Sequence, residues 1–300
     1  MPPTTPPKPS FTSLADIDEY YKFLVYGDPG TGKTTVLASA ARMGHIVYVD
    51  AENGLKPRAL RRLGIPIDNI EPYTDASYEG LEKLHQDLLT RTSKGEKIFA
   101  LMWDTGTETI RRLIRQSVEL GVTKAAQKGL VRSEFDVFQE DYGYVTEQMR
   151  KVLRLFHGLP MHLGVAAHVR RDTDDDGRVR KGPALTPKVA EDFRGYLDCI
   201  IHLRTEEVPD SEEPERIGLT RPQGVYEAKD RYGLLPKNLV NPTADRIVDY
   251  LDEKLVKDKD PLQIAARQRR AGVAAAVAGT TPPAPNGDEK TDDKKEAAKA

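Results

Sequence analysis

Short apolar runs alternate with longer amphipathic stretches along most of this chain. The apolar runs predict strands at about residues 22–26, 46–49, 98–103, 161–167 and 199–204, and two shorter strands near 216–220 and 224–229. Apolar residues that recur every three or four positions predict helices at about 34–43, 57–63, 77–90, 107–119, 134–157 and 242–255. Strands that alternate with helices are typical of an α/β fold, in which a mainly parallel β-sheet carries helices on both faces.

Both ends of the chain differ in composition from its middle. Five of the first ten residues are proline, and no large aliphatic residue follows Val277. Such segments bury too little apolar surface to offset the loss of chain entropy. We therefore expect disordered tails at residues 1–18 and 258–300, on either side of a folded core at residues 19–257. The C-terminal tail is a candidate for binding a protein partner.

The charges and the cysteine content exclude several classes of protein. The 300 residues include 45 basic and 47 acidic residues, for a net charge of −2, so nucleic acid would have to bind to a local basic patch. Cys199 is the sole cysteine, which excludes a disulfide framework and fits a small buried hydrophobe. No run reaches the roughly 20 apolar residues of a membrane span, and no signal peptide is recognisable. We therefore expect a soluble, cytoplasmic protein with no membrane partner.

A phosphate-binding motif stands between the first predicted strand and the first predicted helix. Residues 27–34 read Gly-Asp-Pro-Gly-Thr-Gly-Lys-Thr and match the pattern G-x-x-x-x-G-K-[ST]. In this context backbone N–H groups surround the phosphates of a nucleoside triphosphate, the lysine neutralises their charge, and the last hydroxyl binds Mg²⁺. The predicted nucleotide-binding residues are Gly27, Asp28, Pro29, Gly30, Thr31, Gly32, Lys33, Thr34 and Thr35.

Two acidic residues follow predicted strands and are candidates for the chemistry. Asp104 ends a central strand, where its carboxylate would hold Mg²⁺ together with Thr34; the alternative is a cap for the next helix. The residue after it is Thr105 and not Glu, so an acid that activates water must come from elsewhere. Glu52 follows the second predicted strand and is a candidate general base, although a solvated glutamate at a helix start has the same pattern.

The segment around Glu52 resembles the one that carries the catalytic glutamate in RecA-type recombinases. The similar stretches are Val-Tyr-Val-Asp-Ala-Glu-Asn-Gly-Leu at 47–55 and Arg-Arg-Leu-Gly-Ile-Pro-Ile-Asp-Asn-Ile at 61–70, together with a strand that ends in Asp without Glu. The resemblance covers about residues 20–205 and extends to phage-encoded RecA-like NTPases, which include single-strand annealing proteins. It implies a RecA-like P-loop NTPase fold, catalysis by Lys33 and Glu52, single-stranded DNA as a partner, and a homo-oligomeric ring or filament.

The resemblance also assigns roles to the residues after the strand at 161–167. RecA-like ATPases carry a polar residue here, often Gln, that senses the γ-phosphate, so His168 takes this role unless it is a structural histidine. The following loop contacts single-stranded DNA in that family, through basic residues that here are Arg170, Arg171, Arg178, Arg180 and Lys181. We expect a hairpin that turns at Asp176-Gly177; a solvated hairpin without DNA contact is the alternative. Its aspartates do not make a calcium site, because Pro183 replaces the required glutamate.

A pair of cations nearer the C-terminus also resembles a RecA-like element. Lys229 and Arg231 lie next to a predicted strand, like the cations that RecA-like assemblies project into the nucleotide site of a neighbouring subunit. Cations supplied in this way would stabilise charge on the transferred phosphoryl group, so both residues are candidate catalytic residues. A salt bridge within the subunit is the alternative.

These features predict an ATP-binding, ATP-hydrolysing RecA-like protein that acts on single-stranded DNA in recombination, annealing or repair, with turnover stimulated by DNA. Three alternatives remain. An AAA+-type motor or helicase loader would act on protein partners and carry a helical lid domain after the core. A small-molecule P-loop kinase would need a substrate pocket and a mobile arginine lid. An ATP-gated DNA binder with negligible turnover would fit the missing acid after Asp104.

Overall fold

Six parallel strands form the centre of a mixed β-sheet. The computed structural model describes residues 18–173, 177, 179–208 and 214–277. Its strands are β1 (Lys22–Gly27), β2 (Ile46–Asp50), β3 (Ile70–Tyr73), β4 (Ala100–Asp104), β5 (His162–Thr173), β6 (Val179–Pro183), β7 (Cys199–Glu206), β8 (Glu215–Leu219), β9 (Lys229–Asp230) and β10 (Asn238–Val240). They lie in the order β10-β8-β7-β1-β5-β4-β2-β3, and the six from β7 to β3 are parallel. β8 and β10 continue the sheet in antiparallel pairing, while β6 pairs with β5 and β9 with β7.

Helices connect most of the parallel strands. They are α1 (Lys33–Ala38), α2 (Pro57–Arg62), α3 (Tyr78–Ser93), α4 (Gly106–Gln127), α5 (Gln139–His157), α6 (Pro187–Tyr196), α7 (Ala244–Leu251) and α8 (Pro261–Val277). Short 3-10 turns occupy Ser39–Arg42 and Ile67–Asn69. Among the described helices, none combines the length and the apolar character that a membrane span requires.

The sheet is covered on both faces, and this explains why its central strands are continuously apolar. In β1, Leu24 and Tyr26 belong to one apolar core, while Phe23 and Val25 belong to the other. The first core also contains residues of α3, α4, α5 and α6, and the second contains residues of α1 and α7. Because successive side chains of a strand point to opposite faces, a doubly covered strand needs apolar residues at every position. The predicted α/β fold with a mainly parallel sheet is confirmed.

Several elements depart from the expected pattern. β3 was not predicted, because this edge strand reads Ile-Glu-Pro-Tyr and is only partly buried. α6 was not predicted either, although Val189 and Phe193 are buried on one of its faces. The long amphipathic helix begins at Gln139 and not at residue 134. Its N-terminus is capped by the Asp141 carboxylate, which accepts a hydrogen bond from the Phe138 N–H at 2.8 Å.

The chain divides into two units, Met1–Lys257 and Asp258–Ala300. The expectation of disorder throughout residues 258–300 is wrong for Pro261–Val277, which form α8. The Asp260 carboxylate accepts a hydrogen bond from the Leu262 N–H at 3.0 Å, and Pro261 stands at the first helical position. An acidic cap followed by proline and a series of alanines favours a helix even where few large apolar residues are present. The tails predicted at residues 1–17 and 278–300 lie outside the described residues.

The sole cysteine behaves as the sequence indicates. Cys199 is the first residue of β7 and is buried between β1 and β9. Burial raises the pKa of its thiol far above the ordinary value, with the carboxylates of Asp230 and Asp198 adding to the shift. The thiolate, which is the reactive form, is therefore scarce at neutral pH.

A buried histidine at the start of β5 predicts a pH dependence of stability. The Nδ1 atom of His162 accepts a hydrogen bond from the Tyr21 N–H at 3.0 Å, and its ring packs against Phe99. Burial, with a smaller contribution from the charge of Lys22, lowers the pKa of His162 from 6.5 to about 4. The unfolded chain therefore binds this proton more readily than the folded protein between about pH 6.5 and pH 4, and stability falls as the pH is lowered through that window.

His162→Gln isolates this effect, since Gln retains an acceptor for the Tyr21 N–H and does not titrate. Between pH 7 and pH 5 we expect the wild type to lose about 2 kcal/mol of unfolding free energy more than the variant does. Urea titrations at the two pH values measure the difference. Equal losses in the two proteins would contradict the prediction.

Candidate active site

The phosphate loop (residues 27–34) connects β1 to α1 at the carboxyl edge of the parallel strands. Gly30 and Gly32 have φ angles of 83° and 91°, in the left-handed region that favours glycine. Gly27 is required for another reason: a Cβ there would lie 2.5 Å from the backbone oxygen of Leu203 on β7. The Lys33 Nζ donates hydrogen bonds to the backbone oxygens of Gly27 and Asp28, both at 3.0 Å. Burial lowers the pKa of this amine, partly offset by nearby carboxylates.

Asp104 and Thr34 meet at the base of the loop. The Thr34 Oγ1 donates a hydrogen bond to the Asp104 Oδ2 at 2.6 Å, and the Tyr48 hydroxyl donates to the same oxygen at 2.8 Å. Burial raises the pKa of Asp104, and these two hydrogen bonds partly counteract it. Among the described residues, no group of three or more His, Cys, Asp or Glu side chains is placed to hold a metal ion. One hydroxyl and one carboxylate fit Mg²⁺, a hard cation that takes its other ligands from water and phosphates.

The turn after β2 places Glu52 near the loop. The Asp50 carboxylate organises this turn by accepting hydrogen bonds from the N–H groups of Gly54 and Leu55, at 2.7 and 3.1 Å. Asn53 adopts a left-handed conformation with φ at 54°, which asparagine tolerates well. The backbone oxygen of Ala51 accepts a hydrogen bond from Arg112 on α4. The segment Asp-Ala-Glu-Asn-Gly-Leu thus forms a fixed turn with the glutamate projecting from it.

Glu52 is bound by two side chains from other strands. Its Oε1 accepts hydrogen bonds from the Thr105 Oγ1 at 2.7 Å and from the His168 Nε2 at 2.8 Å. Burial raises the pKa of Glu52, but these two hydrogen bonds and the charges of His168 and Lys33 outweigh it, and the net pKa is lowered. The side chain is one-third exposed, so solvent reaches it. Glu52 is therefore a carboxylate at neutral pH, in the state that a general base requires.

His168 is fixed at the end of the sheet by a chain of hydrogen bonds. Its backbone N–H donates to the Thr107 Oγ1 at 3.0 Å, and that hydroxyl donates to the backbone oxygen of Ala184 at 3.0 Å. The structure thus brings together five of the sequence-predicted residues, which lie on or after four different strands. They are Lys33, Thr34, Glu52, Asp104 and His168.

A comparison with the sequence profiles of known protein families matches residues 19–232 to the AAA domain. The match covers more than half of the chain and includes every residue of the site described above. The chain belongs to the AAA domain family. A search of the curated proteins found no match. As an AAA domain, the chain is a nucleotide-binding P-loop ATPase.

In this AAA domain, β5 continues past His168 into the expected hairpin with β6. Arg171 is opposite Lys181 in the antiparallel register, and Gly177 has a φ angle of 76° in the turn. Arg171 and Arg180 are exposed. Asp176 and Arg178 lie outside the described residues.

Among the predicted DNA contacts, Arg170 and Lys181 are bound to other residues of the AAA domain. The Arg170 guanidinium donates to the Asp172 carboxylate at 2.8 Å and to the backbone oxygen of Leu185 at 2.7 Å, so it anchors the base of the hairpin. The Lys181 amine lies 5.1 Å from the ring centre of Tyr226, a cation–π contact. Arg170 therefore holds the base of the hairpin in place, and its contact with DNA stays a prediction.

The two cations predicted to act in trans lie at the opposite edge of the sheet from the phosphate loop. The Lys229 Nζ donates to the backbone oxygens of Arg194 and Leu197 at 2.6 and 2.7 Å. The Arg231 guanidinium forms an ion pair with Asp198 at 2.8 Å. Within one AAA domain Arg231 thus forms a salt bridge, as the alternative interpretation held, while Lys229 holds the end of α6. A role in a neighbouring subunit stays a prediction.

Three residues of the site were not recognised from the sequence. Asp50 shapes the turn, Thr105 binds Glu52, and Tyr48 binds Asp104. For Asp50 a signal existed, since an aspartate with Asn-Gly three residues further on is consistent with a side chain that accepts hydrogen bonds from a turn. For Thr105 the hydrogen bond to Glu52 connects residues 53 positions apart, and no local pattern predicts it.

Proposed function

We propose that this AAA domain binds ATP together with Mg²⁺ and hydrolyses it with Glu52 as the general base. The observation that carries this proposal is the position of the Glu52 carboxylate, bound by Thr105 and His168 beside the phosphate loop. Mg²⁺ held by Thr34 and Asp104 would neutralise charge on the phosphates. Glu52 follows β2, which pairs with β4, and the last residue of β2, Asp50, lies opposite Asp104.

We propose further that the protein works as a RecA-like ATPase. The proposal is supported by a base that follows the second strand, in place of a glutamate directly after Asp104. The resemblance at residues 47–55 and 61–70 supports it as well. Phage origin, assembly into a homo-oligomer and a trans role for Lys229 and Arg231 belong to this proposal.

Single-stranded DNA is the partner that we propose. β5 supports this choice, because the same strand carries His168 beside Glu52 and, three residues later, the exposed Arg171 on the hairpin. A change in the hydrogen bond between His168 and Glu52 during turnover would act on the strand that leads into the hairpin. Exposed cations on such a hairpin can contact phosphates without sequence specificity.

The test is the ATPase rate of the full chain with and without single-stranded DNA, at several salt concentrations. We expect DNA to raise the rate, and we expect binding to weaken as salt increases. Replacing both Arg171 and Lys181 by Gln should weaken DNA binding about tenfold and make its salt dependence less steep. The basal rate without DNA should stay within about twofold of wild type, because neither side chain contacts Glu52 or the phosphate loop.

The matched control replaces Lys83 and Lys94 by Gln, which removes the same charge from exposed positions on and just after α3. This control should bind DNA as the wild type does. Turnover without any DNA binding at low salt would contradict the DNA proposal and favour an AAA+-type motor acting on proteins. DNA binding that requires ATP but shows no turnover would favour the ATP-gated binder.

A further inference from the structure

An arginine from the antiparallel part of the sheet lies against the phosphate loop. Arg216 is on β8, opposite Thr205 of β7. A Cβ on Gly32 would lie 2.7 Å from the Arg216 Nε, 3.0 Å from its Cδ and 3.2 Å from its Cζ. The arginine therefore packs directly on the Cα of this loop glycine, and a side chain at position 32 would displace it.

The backbone of Arg216 is fixed, but its guanidinium is not engaged. The backbone N–H of Arg216 donates a hydrogen bond to the Asn241 Oδ1 at 3.0 Å, and the backbone oxygen of Arg216 accepts one from the Asn241 N–H at 2.6 Å. Within the described ranges, the guanidinium makes no hydrogen bond or ion pair. By contrast, the nearby Arg204 is paired with Glu206. The Arg216 guanidinium is partly buried, keeps several free N–H donors and lies beside a phosphate-binding loop. A phosphate group has the charge and the acceptor oxygens to bind it.

The strand order decides which phosphate is in reach. Glu52 follows β2, Asp104 ends β4 and His168 lies within β5, and these three strands all lie on one side of β1. Arg216 reaches the loop from β8, which lies beyond β7 on the other side of β1. A triphosphate whose terminal phosphate is next to Glu52 would therefore present its inner phosphates to Arg216.

We infer that Arg216 is a nucleotide-binding residue that contacts the α- or β-phosphate of the nucleotide bound in its own subunit. This inference rests on the proposed function, since it takes the orientation of the nucleotide from the role of Glu52. Arg216 supplies a permanent charge on the side of the loop opposite Glu52, while Lys33 supplies the charge within the loop. Arg216 therefore contributes to the binding of the α- and β-phosphates and takes no part in the chemistry at the terminal phosphate.

The test compares Arg216→Gln with wild type for binding of ADP and of ATP with Mg²⁺, by calorimetric titration of the full chain. Loss of a charge-assisted phosphate contact should weaken both nucleotides alike, by about 10- to 100-fold. The ATPase rate at saturating ATP should stay within about threefold of wild type, so that the effect is on KM and not on kcat. Arg216→Lys keeps the charge but loses the planar guanidinium. Its nucleotide affinity should therefore lie between that of the wild type and that of Arg216→Gln.

The matched control is Arg221→Gln, a change of the same kind just after β8, whose guanidinium donates to the backbone oxygen of Gly233. This variant should bind both nucleotides as the wild type does. Wild-type affinity in Arg216→Gln would overturn the inference, and so would weakening of ATP alone. If Arg216→Gln does not fold, the test passes to Arg216→Lys, and an ADP affinity equal to that of the wild type in this variant would also overturn the inference. A wild type that binds neither nucleotide would instead refute the proposed function.

Discussion

Replacing Glu52 by Gln is expected to lower ATP turnover by at least about 100-fold and to leave ATP affinity within a few-fold of wild type. Gln keeps the shape of the side chain and can still accept the hydrogen bonds of Thr105 and His168, but it cannot take a proton from water. Because the Glu52 pKa is lowered, the wild-type side chain is already deprotonated at neutral pH and needs no activation. Single-turnover hydrolysis and nucleotide titration measure the two effects separately.

Glu71→Gln is the matched control for this experiment. Glu71 on β3 is another glutamate that accepts a hydrogen bond from a histidine, here His45 at 3.0 Å, and its pKa is lowered through the hydrogen bond from Arg91. It lies at the edge strand, remote from the phosphate loop, so its variant should hydrolyse ATP at the wild-type rate. An unchanged rate in Glu52→Gln would remove Glu52 from the mechanism.

Replacing Asp104 by Asn is expected to separate activity from stability. Turnover with Mg²⁺ should fall by at least about 100-fold, because the carboxylate charge that would hold the cation is lost. The thermal stability of the protein without nucleotide should not fall. Burial raises the pKa of Asp104, so its charged form costs folding free energy at neutral pH, whereas an Asn oxygen can still accept from Thr34 and Tyr48.

Tyr48→Phe completes the comparison. This change removes one hydrogen bond to Asp104 but leaves the carboxylate charge and Thr34 in place. We expect measurable turnover together with a loss of about 1 to 3 kcal/mol in stability, since a buried carboxylate oxygen loses a donor. Thermal unfolding and a Mg²⁺ titration of the ATPase rate distinguish the two variants. An Asp104→Asn protein that is both active and less stable would contradict the metal-binding role.

The centre of the site could be predicted because its residues follow strands in sequence. Lys33 and Thr34 belong to a contiguous motif, while Asp104 comes directly after an apolar run and Glu52 comes shortly after another. Parallel strands place their carboxyl ends at one edge, so separate strand ends predict a shared location. The α/β fold follows from the same alternation of strands and helices, and its strand order brings these ends together.

The remaining features depend on contacts between residues distant in sequence. In the sequence Arg170 is a basic loop residue, and only the structure shows its hydrogen bond to Leu185. Lys229 likewise has no partner that the sequence reveals, and the structure shows its hydrogen bonds to the end of α6. Arg216 stands in an antiparallel strand that carries no motif, and only the pairing of β7 with β8 places it at Gly32. Side-chain partners across a sheet follow from strand order and register, which a single sequence does not specify.

The burial of Cys199 has a practical consequence for following the hairpin. Since the only native thiol is inaccessible and weakly acidic, a cysteine introduced at an exposed position would react selectively with a maleimide dye in the otherwise unaltered chain. Position 171 on the hairpin and position 83 on α3 offer a responsive label and a reference label. The fluorescence of the label at position 171, followed during a single round of ATP hydrolysis, would show whether the hairpin moves before, with or after the hydrolysis step at Glu52.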